Sequence, residues 1–144
     1  MPRVRIALDT NIFVSALITK GTPPDRLYQA WLRNDIDLVI SVEQIDEIAE
    51  VLARPRFRNL IDPDEAAQMI SAIHLRAIVV AGIDILKRSP DPKDDMILAT
   101  AVAGQAELLV TGDKRDILAL GTVEGIPICS ARDALRIALP DHPS

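Results

Sequence analysis

Runs of apolar residues at strand spacing give way, from one end of the chain to the other, to apolar stripes at helical spacing, and this alternation constrains the fold most. Val4, Ile6 and Leu8 fall at period two. Ile12, Phe13, Ala16 and Leu17 then recur at the three-to-four spacing of a helix face. The pattern repeats: "DIDLVIS" and the helix "VEQIDEIAEVLARP"; "AIVVAGIDI" and "DDMILATAVAGQ"; "ELLVTGD" and "KRDILAL"; "IPICS" and "ARDALRIAL". Two more helices are predicted in "GTPPDRLYQAWLRN" and in "DPDEAAQMISAIHLR", whose Asp62, Pro63 and Glu65 supply a cap, an N1 proline and an N3 acid. Strands that alternate with helices pair in parallel, because the helix returns the chain to the edge from which it left. The expected class is α/β, with a mainly parallel central sheet of about five strands and helices on both faces.

Such a sheet collects its chemistry outside the carboxyl ends of its strands, and acids stand there. Asp9 follows the first strand, "DPKDD" (Asp91 to Asp95) follows the third, and "TGDKRD" (Thr111 to Asp116) follows the fourth. Asp9 or Thr10 could simply cap the helix behind it. In the middle cluster, Ile97, Leu98 and Ala101 lie three, four and seven residues after Asp94, which puts Asp94 on the inward stripe and turns Asp95 about a quarter-turn away. A helix N-terminus stabilises a carboxylate by about 0.3–1 kcal/mol. Two carboxylates about 4 Å apart repel by about 4 kcal/mol at an effective dielectric of 20. Repulsion wins, and a divalent cation is the natural compensator; all-oxygen ligation suits Mg2+ or Mn2+. Other chemistries are poorly supplied: the one cysteine, Cys129, cannot form an internal disulfide and reads as a buried filler, and His74 and His142 are too isolated for a metal site or a triad.

At 144 residues, nearly half of them apolar, the chain is long enough for a real core. It reads as a single domain over 1–139 with a short tail, 140–144. No apolar run approaches a membrane span and no signal peptide precedes the first strand, so a soluble, cytoplasmic protein is expected. The formal charge of −5, from 21 acidic and 16 basic residues, argues against nucleic-acid binding by bulk charge. Contact with a polyanion would need bound cations or local basic groups.

Four motifs in order, "LDTNIFVSAL", "EQIDEIAEVL", "DPKDDMILATA" and "LLVTGDKRDIL", resemble the PIN domain family and, within it, VapC-related toxins of toxin-antitoxin systems. The resemblance implies a metal-dependent nuclease that cleaves RNA, pairs as a homodimer and is silenced by a cognate antitoxin. It implies Asp9, Glu47, Asp94 and Asp113 as the catalytic acids, with Asp9, Asp94 and Asp113 holding the metal. Glu47 rests on resemblance alone, since Glu43, Asp46 and Glu50 share its helix and Glu50 stands at ion-pair spacing from Arg54. Thr10, Asn11 and Thr111 would orient the carboxylates, while Asp91 and Asp116 would hold a water or a second ion or serve as turn and cap residues. Arg54, Arg56 and Arg58 around Phe57, with Lys93 and Lys114, would grip RNA phosphate. The chain's only tryptophan and tyrosine, Trp31 and Tyr28, with Leu27, either anchor the core or line a groove for an antitoxin segment. Two alternatives stand beside this reading. One is a catalytically silent PIN-like module acting through protein contacts. The other is a metal-dependent phosphatase of the haloacid-dehalogenase type, weakened by Asn11 where that chemistry wants a second aspartate.

Overall fold

The computed structural model describes residues 3–85, 91–112 and 115–139, and of Lys93, Arg115 and Asp116 the backbone only. The order of elements is β1 (Val4–Leu8), α1 (Thr10–Ile18), α2 (Pro23–Leu32), β2 (Ile36–Ser41), α3 (Val42–Leu52), a 3-10 turn (Pro55–Phe57), α4 (Pro63–Arg76), β3 (Ile78–Val80), α5 (Pro92–Ala103), β4 (Leu108–Val110), α6 (Arg115–Leu120), β5 (Thr122–Val123), β6 (Ile126–Cys129) and α7 (Ala131–Ala138). The strands form a sheet in the order β3-β2-β1-β4-β6-β5. Every pairing is parallel except that of β5 with β6. The expected α/β class therefore stands, with one strand more than the five read from the sequence. The addition is a two-residue strand closed by a tight turn in which Glu124 and Gly125 both take positive φ, 48° and 80°, as a hairpin turn matched to strand twist requires. The third strand is shorter than "AIVVAGIDI" suggested, pairing with β2 only over Ile78–Val80.

Successive strand residues face opposite sides, and the two sides differ. Ile6, Leu8, Leu38, Ile40, Leu108 and Val110 pack beneath α1, α2, α3, α4 and α7. Ala7, Leu109 and Ile128 face α5 and α6. Small side chains let α5 approach closely. A β-carbon on Gly104, just beyond α5, would come within 1.8 Å of Val39 Cγ1, so this position has room only for glycine. Thr100 on α5 lies 2.7 Å from the Ser41 hydroxyl at the end of β2. The helix is thereby fixed in register with the sheet's carboxyl edge.

Of the two roles expected for Leu27, Tyr28 and Trp31 on α2, the structure shows the core one. Leu27, Tyr28 and Trp31 are buried, Trp31 to 3% exposure, because α2 lies between α1, α7 and β2. The Arg76 guanidinium covers the Trp31 ring at 5.7 Å and donates to Leu32 O and Asn34 Oδ1 at 2.7 and 2.8 Å, closing the end of α2. The start of α4 matches its sequence signature, with the Asp62 carboxylate accepting from Asp64 N at 2.8 Å. His74 is exposed, and Cys129 is half-buried rather than a fully buried filler. Among the described residues no helix is long and apolar enough to cross a membrane.

Candidate active site

Asp9 sits where β1 ends, held by its own backbone: its N–H donates to Val110 O and its carbonyl accepts from Ile12 N, both at 2.9 Å. It occupies the N-cap position of α1, yet its side chain makes no capping hydrogen bond. The carboxylate instead accepts from the Thr111 hydroxyl at 3.0 Å, across to the end of the neighbouring strand β4. Asp9 is 3% exposed and Thr111 fully buried. Burial against a hydroxyl donor holds one carboxylate oxygen in a fixed place at the sheet edge.

Glu47 now separates from the other acids of α3. The Thr10 hydroxyl donates to Glu47 Oε1, whereas Asp46 and Glu50 are exposed and Glu50 pairs with Arg54 at 3.4 Å. One turn before Glu47, Gln44 is fully buried and its Nε2 donates to Leu8 O at 2.6 Å. Helix α3 thus grips the chain on both sides of Asp9, at Leu8 and at Thr10. Gln44 escaped the sequence reading because it looks like part of a solvated acidic face. A signal was present, since Ser41 and Gln44 stand at capping-box spacing. The Ser41 side chain does accept from Gln44 N, at 3.2 Å, but the glutamine side chain turns to the strand instead of closing the box.

Asp94 enters the same edge from α5, which packs on β1, β2, β4 and α3. It stands six residues before Thr100, and at about 1.5 Å per residue that carries it about 9 Å past the level of Ser41. Asp94 is 3% exposed, as expected, but Asp95 is buried too, at 5%. Helical phase separates neighbours only when one side of a helix is covered. Here Asp94, Asp95 and the run from Ile97 to Ala101 are all buried, so α5 is enclosed around much of its circumference and Asp95 does not turn to solvent. Asp91 is exposed, and its carbonyl accepts from Asp94 N and Asp95 N at 3.0 and 3.3 Å, which starts the helix. Asn11 is exposed at the first turn of α1.

Asp113 and Lys114 lie outside the described residues, as do the side chains of Lys93 and Asp116. Among the described residues no three metal-binding side chains form a group. The donor set that is described still fits a hard cation by its chemistry: buried carboxylates at Asp9 and Asp94, a further acid at Asp95, and hydroxyls, with no sulfur or imidazole. Of the expected phosphate-gripping residues, Arg54 is held by Glu50, Arg56 stacks over Phe57 at 4.7 Å, and Arg58 is exposed.

Comparison with known proteins bears on the family and the fold. The PIN domain matches residues 5–115, from β1 to the start of α6. Among solved structures, the crystal structure of PAE2754 from Pyrobaculum aerophilum superposes with a TM-score of 0.64 over 96% of this chain and 91% of that one, at 15% identity, a likeness of fold. No curated protein matches. The matched span holds Asp9 and Thr111 at strand ends and Asp94 on α5, and the chain belongs to the PIN domain family, a nuclease-type fold whose members generally use divalent metals.

Proposed function

We propose that this protein is a metal-dependent endoribonuclease, the toxin of a toxin-antitoxin pair, acting in the cytoplasm as a homodimer restrained by a cognate antitoxin. The observation that carries the nuclease reading is the buried Asp9 carboxylate, fixed by Thr111 at the sheet edge that Asp94 enters from α5. A buried carboxylate costs stability unless it is hydrogen-bonded, paired or bound to a cation, and Thr111 supplies one such bond at the sheet's carboxyl edge. Asp9 and Asp94, with Asp113, would hold Mg2+ or Mn2+, which when bound supplies Lewis-acid activation of water and neutralises charge on the phosphate. The chain's own contribution is orientation. Thr111 fixes one Asp9 oxygen through its hydroxyl, while Thr10 sets Glu47 and Gln44 sets the Leu8 carbonyl.

Incubating single-stranded RNA with the protein and Mg2+ or Mn2+ tests this: cleavage should disappear with chelator and in Asp94→Asn, which keeps size and removes charge. A folded native protein that leaves RNA intact with either metal would favour the catalytically silent module. Release of phosphate from monoesters with no chain cleavage would favour the phosphatase.

A further inference from the structure

Beside the acidic edge lies an open groove of about 510 Å³, and none of the residues described so far explains it. It begins at Asn11, two residues after Asp9, and at Thr111, which is hydrogen-bonded to Asp9. From there it runs between Ser15 on α1, Pro23 and Pro24 opening α2, and Ser130 and Arg132 at the start of α7. A second depression of about 320 Å³ shares Ser15 and Pro24 and extends to Ile18 and Thr22. Asn11 and Ile18 are seven residues apart on one helix, so the combined groove follows α1 for about 10 Å.

We propose that this groove binds the single-stranded nucleic acid flanking the scissile phosphate, with Arg132 holding a backbone phosphate; the assignment of the substrate class rests on the nuclease reading above. Three features favour a nucleotide chain over a peptide. One end of the groove is lined by Thr111, whose hydroxyl donates to the Asp9 carboxylate, so its occupant lies next to whatever reaches that sheet edge. Among the described residues its lining contains no acid, although the chain as a whole carries a net charge of −5, so these residues form an uncharged-to-cationic path beside an acidic edge. Its polar lining supplies donors suited to phosphate and ribose: the Asn11 amide, the Ser15 and Ser130 hydroxyls and the Arg132 guanidinium. The faces of Pro23 and Pro24 offer apolar surface to a sugar or base. Arg132 is exposed, and among the described residues it has no carboxylate partner, whereas Arg3, Arg33, Arg54 and Arg136 are each paired with an acid. Charge-assisted bonds from arginine to phosphate are the strong class of such contacts. Ser130 accepts from Asp133 N at 3.2 Å, which orders this first turn and leaves the hydroxyl proton directed elsewhere.

The test is equilibrium binding of a fluorescent single-stranded RNA oligonucleotide in chelator, where cleavage cannot intervene. Compared with the native protein would be Arg132→Glu, Ser15→Trp to fill the groove, and Arg26→Glu, an exposed arginine outside the groove that changes net charge equally. Arg132→Glu and Ser15→Trp should each raise Kd about tenfold and Arg26→Glu less than twofold. Arg132→Ala should lower the slope of log Kd against log salt by about 0.7, the value for one single-strand phosphate contact. Equal Kd values for native, Arg132→Glu and Ser15→Trp proteins would overturn the assignment, as would loss of affinity equal to that of Arg26→Glu, and so would a native protein that binds no RNA. If native RNA binding is groove-dependent but no cleavage follows with metal, the nuclease reading fails and the groove stands. Cleavage with groove variants that bind normally is the reverse.

Discussion

The two faces of the sheet are built differently. One is thick, with Phe13, Leu27, Trp31, Ile48, Met69 and Ile73 buried over large strand side chains and five helices laid on it. The other is thin, with α5 and α6 over Ala7, Leu109 and Ile128. The thick face holds most of the apolar area that drives folding. The thin face stabilises less but places more: its small residues bring α5 near the strands, and α5 carries Asp94 and Asp95 to the carboxyl edge. Substitutions on the two faces should therefore fail differently, the first by unfolding and the second by misplacing acids.

Trp31→Ala should have the largest effect. Removing a fully packed indole costs about 3–5 kcal/mol, and here it also strips the cover from under Arg76. Chemical denaturation should show a large loss of stability. A loss below about 1 kcal/mol would mean that α2 is not part of the core and would reopen it as a docking surface.

Gly104→Ala tests the thin face. The added methyl meets Val39 Cγ1 at 1.8 Å, and overpacking of this kind costs about 1–3 kcal/mol. In a Val39→Ala background the same change should cost much less, which makes the pair a double-mutant cycle. If metal-induced thermal stabilisation falls in the single variant and returns in the double, close packing of α5 is what sets the acids.

A third, smaller effect lies where α3 spans the two roles. Gln44→Leu removes the donor to Leu8 O, but it also removes Gln44 Oε1, a buried oxygen with no hydrogen-bond partner among the described residues. The two partly offset, and a net loss of about 1 kcal/mol is expected. The informative readout is metal: the rise in melting temperature with Mn2+ should shrink if Gln44 positions Asp9, and should be unchanged if its role is only packing.

The same contrast explains what could be read in the sequence. The thick face is legible because its strands and helices write their period in large apolar residues; Ile12, Phe13, Ala16 and Leu17 describe a helix face without help. Asp9 is legible only in company, because an acid between a strand and a helix is an ordinary N-cap and it is the further acids after later strands that set it apart. The β5–β6 hairpin was not, since Glu124-Gly125 is a weak form of the Asn-Gly or Asp-Gly signal. Asp95 was misplaced because periodicity assumes one covered side, which fails for the enclosed α5. Gln44 and Thr100 stayed hidden because their importance lies in partners distant in sequence, Leu8 and Ser41, and no local pattern encodes that.

The smallest expected effect concerns Cys129, the last residue of β6, whose carbonyl accepts from Thr111 N at 3.0 Å and so abuts the site. Burial, and secondarily the Asp133 carboxylate, push its thiol up from 9.0 to about 11. The sign follows from proton counting. Above the unfolded value the unfolded chain has released the proton and the folded one has not, so stability falls as pH rises. The contribution is complete below about pH 9 and is lost on the way to about pH 11. Tyr28, also raised chiefly by burial with Arg76 pulling the other way, drifts in the same direction but is common to both proteins when native and Cys129→Ala are compared. The advantage of the native protein over Cys129→Ala in urea denaturation should therefore narrow between pH 9 and pH 11 and be flat from pH 6 to about pH 8, below the ordinary thiol range. An advantage that stays constant through the alkaline range would show that water reaches the thiol, and that the strand end behind Thr111 is looser than its hydrogen bonds to Asp9 and Cys129 indicate.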